Sequence, residues 1–315
     1  MQLRTLGRSG IKVPPLCFGG NVFGWTADAA MSERLLDALK DAGLTFIDTA
    51  DVYSSWIPGH VGGESETLIG DWLAARGGRD SVVIATKCGM DMGPAGKGLS
   101  AAHIKSAVDA SLKRLRTDYI DLYQAHSDDA QTPLAETLHA FGDLIAAGKV
   151  RAIGASNYSA ERLQEALKVS ADEGLPRYET LQPHYNLYER SQFEGDRQAV
   201  CLEHGLSVIP YFSLASGFLS GKYRTKADIG SAARGGMVEG MLNPRGLKIL
   251  DALDAVSAEL GARPAQVALS WLMAKPTIAA PIASATSLEQ LQDLKAATEL
   301  SLPPEAMQRL DQAGG

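Results

Sequence analysis

The stretch Phe46-Ile47-Asp48-Thr49-Ala50-Asp51-Val52-Tyr53 sets an acid at the end of an apolar run and a phenol five residues later. A carboxylate in a buried strand is costly unless it is paired. Further along, Lys87 follows Val82–Thr86, and His126 follows Ile120–Ala125. Ser156-Asn157, Gln182 and Tyr211 end apolar runs in the same way. Each residue alone has a duller reading. A strand-end Asp is usually a helix cap or turn residue, a lone Lys a solvated group, a lone His a structural one. An acid, an amine, a phenol and an imidazole at successive strand ends instead form a set suited to acid–base chemistry, with Lys87 as counter-ion to Asp48.

Short β-rich runs must position this set. They are read at Leu16–Phe18, Thr45–Asp48, Val82–Thr86, Ile120–Ala125, Val150–Ala155, Thr180–Gln182, Ser207–Tyr211 and Ile278–Ile282. Helical spacing lies between many of them, over Ser32–Asp41, Glu64–Ala75, Ala101–Arg116, Leu134–Ala147 and Ser159–Val169. Sustained alternation predicts a parallel sheet, and eight units without a composition shift fit one (β/α)8 TIM barrel over residues 1–315. The alternative, a doubly wound sheet, normally carries a glycine-rich turn after its first strand. Residues 2–6 and 11–13 flank Gly7-Arg8-Ser9-Gly10 and read as a small β-hairpin ahead of the barrel. Residues 222–246 read as a long connection after the seventh strand, of a length that is usually functional or disordered. In a (β/α)8 barrel the C-terminal strand ends share one mouth, so the polar residues converge there.

The formal net charge of −7 lacks the basic footprint that nucleic acid requires. The opening residues carry no apolar run of a signal peptide, and no apolar stretch approaches the ~20 residues of a membrane span. Cys17, Cys88 and Cys201 are scattered and without metal-ligand spacing. That pattern fits a reducing, cytoplasmic compartment, with no disulfide framework and no metal. Gly217-Phe218-Leu219-Ser220-Gly221-Lys222 superficially resembles a phosphate loop, but Ser216 and Tyr223 occupy positions where a Walker A motif needs Gly and Ser or Thr.

The segments FIDTADVYS, VVIATK, DYIDLYQAH, IGASNYS, LQPHYNLYER, YFSLASGFLSGKY and PIASATSLEQLQDL together resemble the aldo-keto reductase superfamily. The resemblance implies that Tyr53 is the general acid toward a carbonyl oxygen, that Lys87 lowers the phenol's pKa, that Asp48 holds Lys87, and that His126 orients the substrate. It implies a nicotinamide cofactor, NADP(H) with NAD(H) usable. Ser156, Asn157 and Gln182 would hold its carboxamide, Tyr211 would stack on its ring, and Gly217, Leu219 and Lys222 would approach its pyrophosphate. Ser284, Thr286 and Gln290 would reach a 2′-phosphate. Thr286 stands where many relatives have a basic residue and Leu294 where many have Asn, so the NADP preference is expected to be modest. Trp25, Trp56 and Met90 lie just past strand ends as candidate walls of the substrate pocket, and little chain remains after the last helix for a lid. The reading is a reductase of small-molecule aldehydes or ketones. The alternatives are a sugar or polyol dehydrogenase, and a regulatory subunit resembling potassium-channel β-subunits.

Overall fold

The computed structural model describes residues 1–230 and 235–315. Two short strands, β1 (Arg4–Thr5) and β2 (Lys12–Val13), pair antiparallel through Arg4 with Val13 and Thr5 with Lys12. Eight parallel strands follow: β3 (Cys17–Gly19), β4 (Phe46–Asp48), β5 (Val83–Cys88), β6 (Ile120–Ala125), β7 (Val150–Ser156), β8 (Tyr178–Gln182), β9 (Ser207–Val208) and β10 (Ile282–Ala283). They hydrogen-bond in the order β10-β3-β4-β5-β6-β7-β8-β9. The seam between the two outer strands closes through Val208, whose amide donates to Thr277 O at 2.9 Å and whose carbonyl accepts from Ala279 N at 2.8 Å. Ile282 N adds a bond to Pro210 O at 2.8 Å. The ring is a (β/α)8 barrel.

Helices α1 (Ala29–Asp41), α2 (Glu64–Arg76), α3 (Ala101–Leu115), α4 (Leu134–Ala146), α5 (Ala160–Glu173) and α6 (Asp196–His204) each return the chain to the next strand. After β9 come α7 (Gly235–Glu239), α8 (Pro244–Leu260) and α9 (Pro264–Met273), then α10 (Leu288–Ala297) and α11 (Pro304–Gly314). Short polar side chains start several of them by accepting an otherwise unpaired backbone N–H. Asp28 caps α1, Ser100 α3, Ser159 α5 and Ser287 α10. Among the described residues, no helix is long and apolar enough to cross a membrane.

Alternation along each strand divides the core in two. Phe46, Ala85, Leu122 and Ala152 point into the barrel, where Leu6, Ile11 and Val13 of the hairpin join them. The hairpin therefore plugs the N-terminal end of the barrel. Tyr123, Ile153 and Leu181 point outward into the larger core beneath the helices.

Three expectations shift, the first being the seventh strand, which was read over Ser207–Tyr211 and is a strand only at Ser207–Val208, with Tyr211 bridging His184. The run read as an eighth strand over Ile278–Ile282 is a strand only at Ile282–Ala283, and Ile278 makes a single bridge to Val208. Pro276 and Pro281 explain this, since neither supplies an N–H for a ladder. The connection over residues 222–246 is broken by α7 and by the start of α8, and residues 231–234 within it lie outside the described residues.

Candidate active site

β4 ends at Asp48 with its carboxyl group inside the barrel, fully buried. The next strand brings Lys87 in alongside, also fully buried, with Nζ 2.7 Å from Asp48 Oδ2. An ammonium has three N–H donors. Lys87 spends one on Asp48, one on the carbonyl of Thr49 at 2.7 Å and one on the Tyr53 hydroxyl at 2.9 Å. Tyr53 in turn donates to Asp48 Oδ2 at 3.2 Å. The other carboxylate oxygen, Oδ1, accepts from Gln182 Nε2 at 2.9 Å and from Gln124 Nε2 at 3.4 Å. Both charges are thus paired and both carboxylate oxygens are satisfied, which is the condition for burying them.

The turn Asp51–Trp56 leans Tyr53 back over this pair, with Lys87 Nζ 4.6 Å from the ring centre. From β6, His126 meets Tyr53 edge to face at 6.1 Å and 71°. Its Nδ1 is buried without a hydrogen-bond partner among the described residues. Burial, and then the Lys87 charge, hold this imidazole well below its ordinary pKa, so it is neutral at physiological pH.

The phenol moves opposite to expectation. Burial first and the Asp48 carboxylate second push Tyr53 well above 10. Lys87 favours the phenolate, yet Asp48 contacts the same hydroxyl and offsets it, so burial decides the direction. The hydroxyl keeps its proton in the resting protein.

Beside Asp48, Tyr53, Lys87 and His126, Ser156 Oγ donates to Gln182 O at 2.9 Å, and Asn157 Nδ2 donates to His126 O at 2.9 Å. Tyr211 donates its hydroxyl to Asn157 Oδ1 at 2.8 Å. These residues therefore form one connected wall of the mouth. Trp56 packs on Tyr53 at 6.1 Å and edge to face on Trp25 at 5.5 Å. Met90, two residues beyond β5, is exposed.

Past Tyr211 the backbone enters a left-handed run: Phe212 (φ 54°), Ala215 (48°), Ser216 (58°) and Gly217 (94°). The amides of Ala215 and Gly217 are spent within this turn, on Phe212 O at 2.7 Å and Leu214 O at 2.9 Å. Such conformations cost about 1–3 kcal/mol each for non-glycine residues and cluster at functional sites. Lys222 has no ion pair among the described residues, and its Nζ lies 4.9 Å from the ring of Tyr223. Leu219 is buried beneath this loop. Just past β10, next along the ring, Ser284 donates to Asn21 Oδ1 at 2.8 Å. Gln290 Oε1 accepts from both Thr286 N (2.8 Å) and Thr286 Oγ1 (3.2 Å).

Sequence reading missed Gln124 and the Thr49 carbonyl. Gln124 was legible, because it stands two residues before His126 and so shares its inward face. The carbonyl had no signal, since its use depends on how the chain turns after β4. Cys88 is buried and burial raises its thiol pKa, which makes it inert toward oxidation.

His126 Nδ1 without a hydrogen-bond partner and Lys222 without an ion pair among the described residues, beside a tyrosine on a polar wall, leave polar groups available to a bound molecule. The chain matches the model of the aldo/keto reductase family over residues 15–314. It is 35% identical to an uncharacterized oxidoreductase, YrpG, of Bacillus subtilis, over 99% of this chain and 95% of that one. It is 34% identical to a probable voltage-gated potassium channel subunit beta of Oryza sativa, over 99% and 96%. To the L-glyceraldehyde 3-phosphate reductase of Escherichia coli O157:H7 it is 31% identical, over 99% and 92%. By near full-length matches to the family model and to its reductases, this chain belongs to the aldo/keto reductase family.

Proposed function

We infer that this protein, acting as one barrel domain over residues 1–315, is an NADP(H)-dependent reductase of small aldehydes or ketones that also uses NADH. The observation that carries this reading is the Tyr53 hydroxyl, held between Lys87 and Asp48 and facing a neutral His126. A bound nicotinamide cofactor supplies the hydride to the carbonyl carbon. His126, uncharged, donates a hydrogen bond to the carbonyl oxygen and fixes its angle. As that oxygen gains negative charge, Tyr53 gives it a proton. The phenolate left behind lies 2.9 Å from the Lys87 ammonium, which stabilises it. Asp48 keeps that ammonium charged and in place. Ser156, Asn157 and Gln182 are assigned to the carboxamide, Tyr211 to one face of the ring, and Gly217, Leu219 and Lys222 to the pyrophosphate. Gly217 suits this role because its left-handed backbone carries no side chain to block an approaching phosphate. Ser284, Thr286 and Gln290 are assigned to the 2′-phosphate. Trp25, Trp56 and Met90 line the substrate side of the mouth.

Steady-state turnover of a carbonyl panel with NADPH and with NADH, in wild type and Tyr53→Phe, tests this. Tyr53→Phe should lower kcat by about 10²–10⁴-fold, the range of general acid catalysis, and leave cofactor affinity nearly unchanged. Near-normal turnover in Tyr53→Phe would reject the assigned acid. Tight cofactor binding with no turnover on any carbonyl would favour a regulatory role such as the β-subunit relatives' name suggests.

A further inference from the structure

One face of Tyr211 is covered. His184, two residues beyond the end of β8, stacks on it with ring centres 5.4 Å apart and planes 20° from parallel. The two residues are tied by a β-bridge and by Tyr211 N donating to Pro183 O at 3.0 Å. The His184 ring is also oriented. Asn186 Oδ1 accepts the amides of Tyr188 (2.8 Å) and Glu189 (2.7 Å), so its Nδ2 must face outward. That Nδ2 donates to Phe212 O at 2.9 Å and lies 3.4 Å from His184 Nε2. Facing a donor, Nε2 has to be the unprotonated nitrogen, and the neutral ring carries its proton on Nδ1. A second proton would set Nε2–H against Nδ2–H, losing the contact and adding a charge behind Tyr211.

We propose that His184 is a positioning residue, the third layer of a nicotinamide–Tyr211–His184 stack, and that its protonation turns the site against the cationic oxidised ring more than against the neutral reduced ring. This rests on the placement of the nicotinamide against Tyr211. Two ring thicknesses separate His184 from the nicotinamide, close enough for like charges to repel through the low-dielectric stack. Other charges face this position. Glu189 on the same segment favours the protonated imidazole, burial opposes it more strongly, and the balance lowers the His184 pKa. From α6, Arg197 acts on Tyr211, and across the mouth His126 titrates still lower. The consequence belongs to the acid side of neutrality, where NADP⁺ should be released more readily than NADPH.

The test is a fluorescence titration of the purified protein with NADP⁺ and, separately, NADPH, from about pH 8 to about pH 5. The ratio of the two dissociation constants cancels protonation of the 2′-phosphate, which both cofactors share. In wild type the ratio Kd(NADP⁺)/Kd(NADPH) should rise about threefold or more as pH falls, the scale of two partly screened charges separated by two stacking distances. In His184→Phe, which keeps a ring but cannot ionise, the ratio should be flat. His184→Gln should be flat as well, and replaces the phenylalanine variant if that one fails to fold. A flat ratio in wild type overturns the proposal. So does an unchanged slope in the variants, which would assign the effect to His126. Tyr211→Ala separates the two levels of inference: if it leaves both affinities unchanged, the nicotinamide is not against Tyr211 and the underlying placement fails with the proposal.

Discussion

Two buried carboxylates sit at opposite ends of the same barrel. Asp121, near the N-terminal end of β6, accepts from Arg79 Nη2 at 2.7 Å, Arg151 Nη1 at 2.6 Å and the amide of Ile84 at 2.9 Å. Arg79 is further fixed by Thr117, Val82 O and Tyr119 O, and lies over the Tyr119 ring at 4.1 Å. Asp48, at the C-terminal end of β4, is held by a single lysine, a phenol and two side-chain amides. Guanidinium groups do not deprotonate in proteins, so the lower cluster has no proton to give. The upper cluster contains a phenol, a group able to give a proton, beside an imidazole nitrogen with no partner among the described residues. The lower end is closed by its own arginines, whereas the upper end keeps a buried polar atom without a partner among the described residues. That matches the general division of labour between the two faces of this barrel.

Breaking the upper cluster should have the largest effect. Lys87→Met removes the cation that stabilises the Tyr53 phenolate, and kcat should fall by about 10²–10⁴-fold in steady-state assays. It also strands Asp48 without its counter-ion, so thermal unfolding should occur at lower temperature. Asp121→Asn breaks the comparison from the other side. It leaves two arginines facing an amide, and should destabilise by about 3 kcal/mol in urea unfolding, the lower end for a broken buried pair because Arg151 is partly exposed. Turnover of the remaining folded enzyme should stay near wild type. A large loss of kcat in folded Asp121→Asn would show that the two ends are not separable.

Much of this contrast was readable from residue types. A polar residue after an apolar run marks a strand end, and alternation gives its face, so Asp48, Lys87 and His126 could be placed together before any coordinates. Helices α1 to α5 were found within a few residues of their ends because apolar residues recur at three- and four-residue spacing, whereas α8, the longest, was not read. The last strands were not, because Pro210, Pro276 and Pro281 interrupt the ladder and only single bridges survive around Tyr211 and Ile278. The direction of the Tyr53 pKa was also out of reach. It depends on Asp48 lying as close to the hydroxyl as a hydrogen bond, which spacing alone does not give. Asp121 was passed over since it lies not at the end of Ile120–Ala125 but at its start, where its outward direction places it under Arg79 and Arg151.

A third buried carboxyl sharpens the comparison. Asp51 lies three residues past Asp48 and has no ion pair among the described residues, and the nearby Arg114 pairs with Glu66 at 2.7 Å. Burial first and the Glu66 charge second push its pKa up to about 7. One of its oxygens, Oδ1, has no partner among the described residues. An acid whose pKa is raised on folding contributes stability that is complete below its unfolded value near ~4 and declines as pH rises through the folded value. Asp51→Asn removes that decline. Its stability relative to wild type should be greater at pH 8 than at pH 5 by about 2–3 kcal/mol, read by urea unfolding at both values. A difference that does not depend on pH would mean that Asp51 finds a partner in solution.

The smallest effect concerns the far end of the proposed cofactor groove, where the contrast between a paired and an unpaired charge recurs. Residues 283–287 hold no arginine or lysine. Arg263, from the start of α9, is engaged by Glu289 at 3.3 Å and Asp293 at 2.8 Å. Thr286 spends its amide and hydroxyl on Gln290. A 2′-phosphate placed here would meet hydroxyls, amides and the N-terminus of α10, which favour an anion without countering its full charge. Hydrogen bonds to a charged donor are roughly twice as strong as neutral ones. Wild type should therefore bind NADPH only modestly tighter than NADH. Thr286→Arg should widen that preference by about 1–3 kcal/mol, the scale of a hydrogen bond between charged groups, less any share drawn off by Glu289. Fluorescence titration of both cofactors against both proteins reads the change directly. Tighter NADH binding in wild type, or no change in the variant, would move the 2′-phosphate away from α10 and leave the upper cluster's assignment untouched.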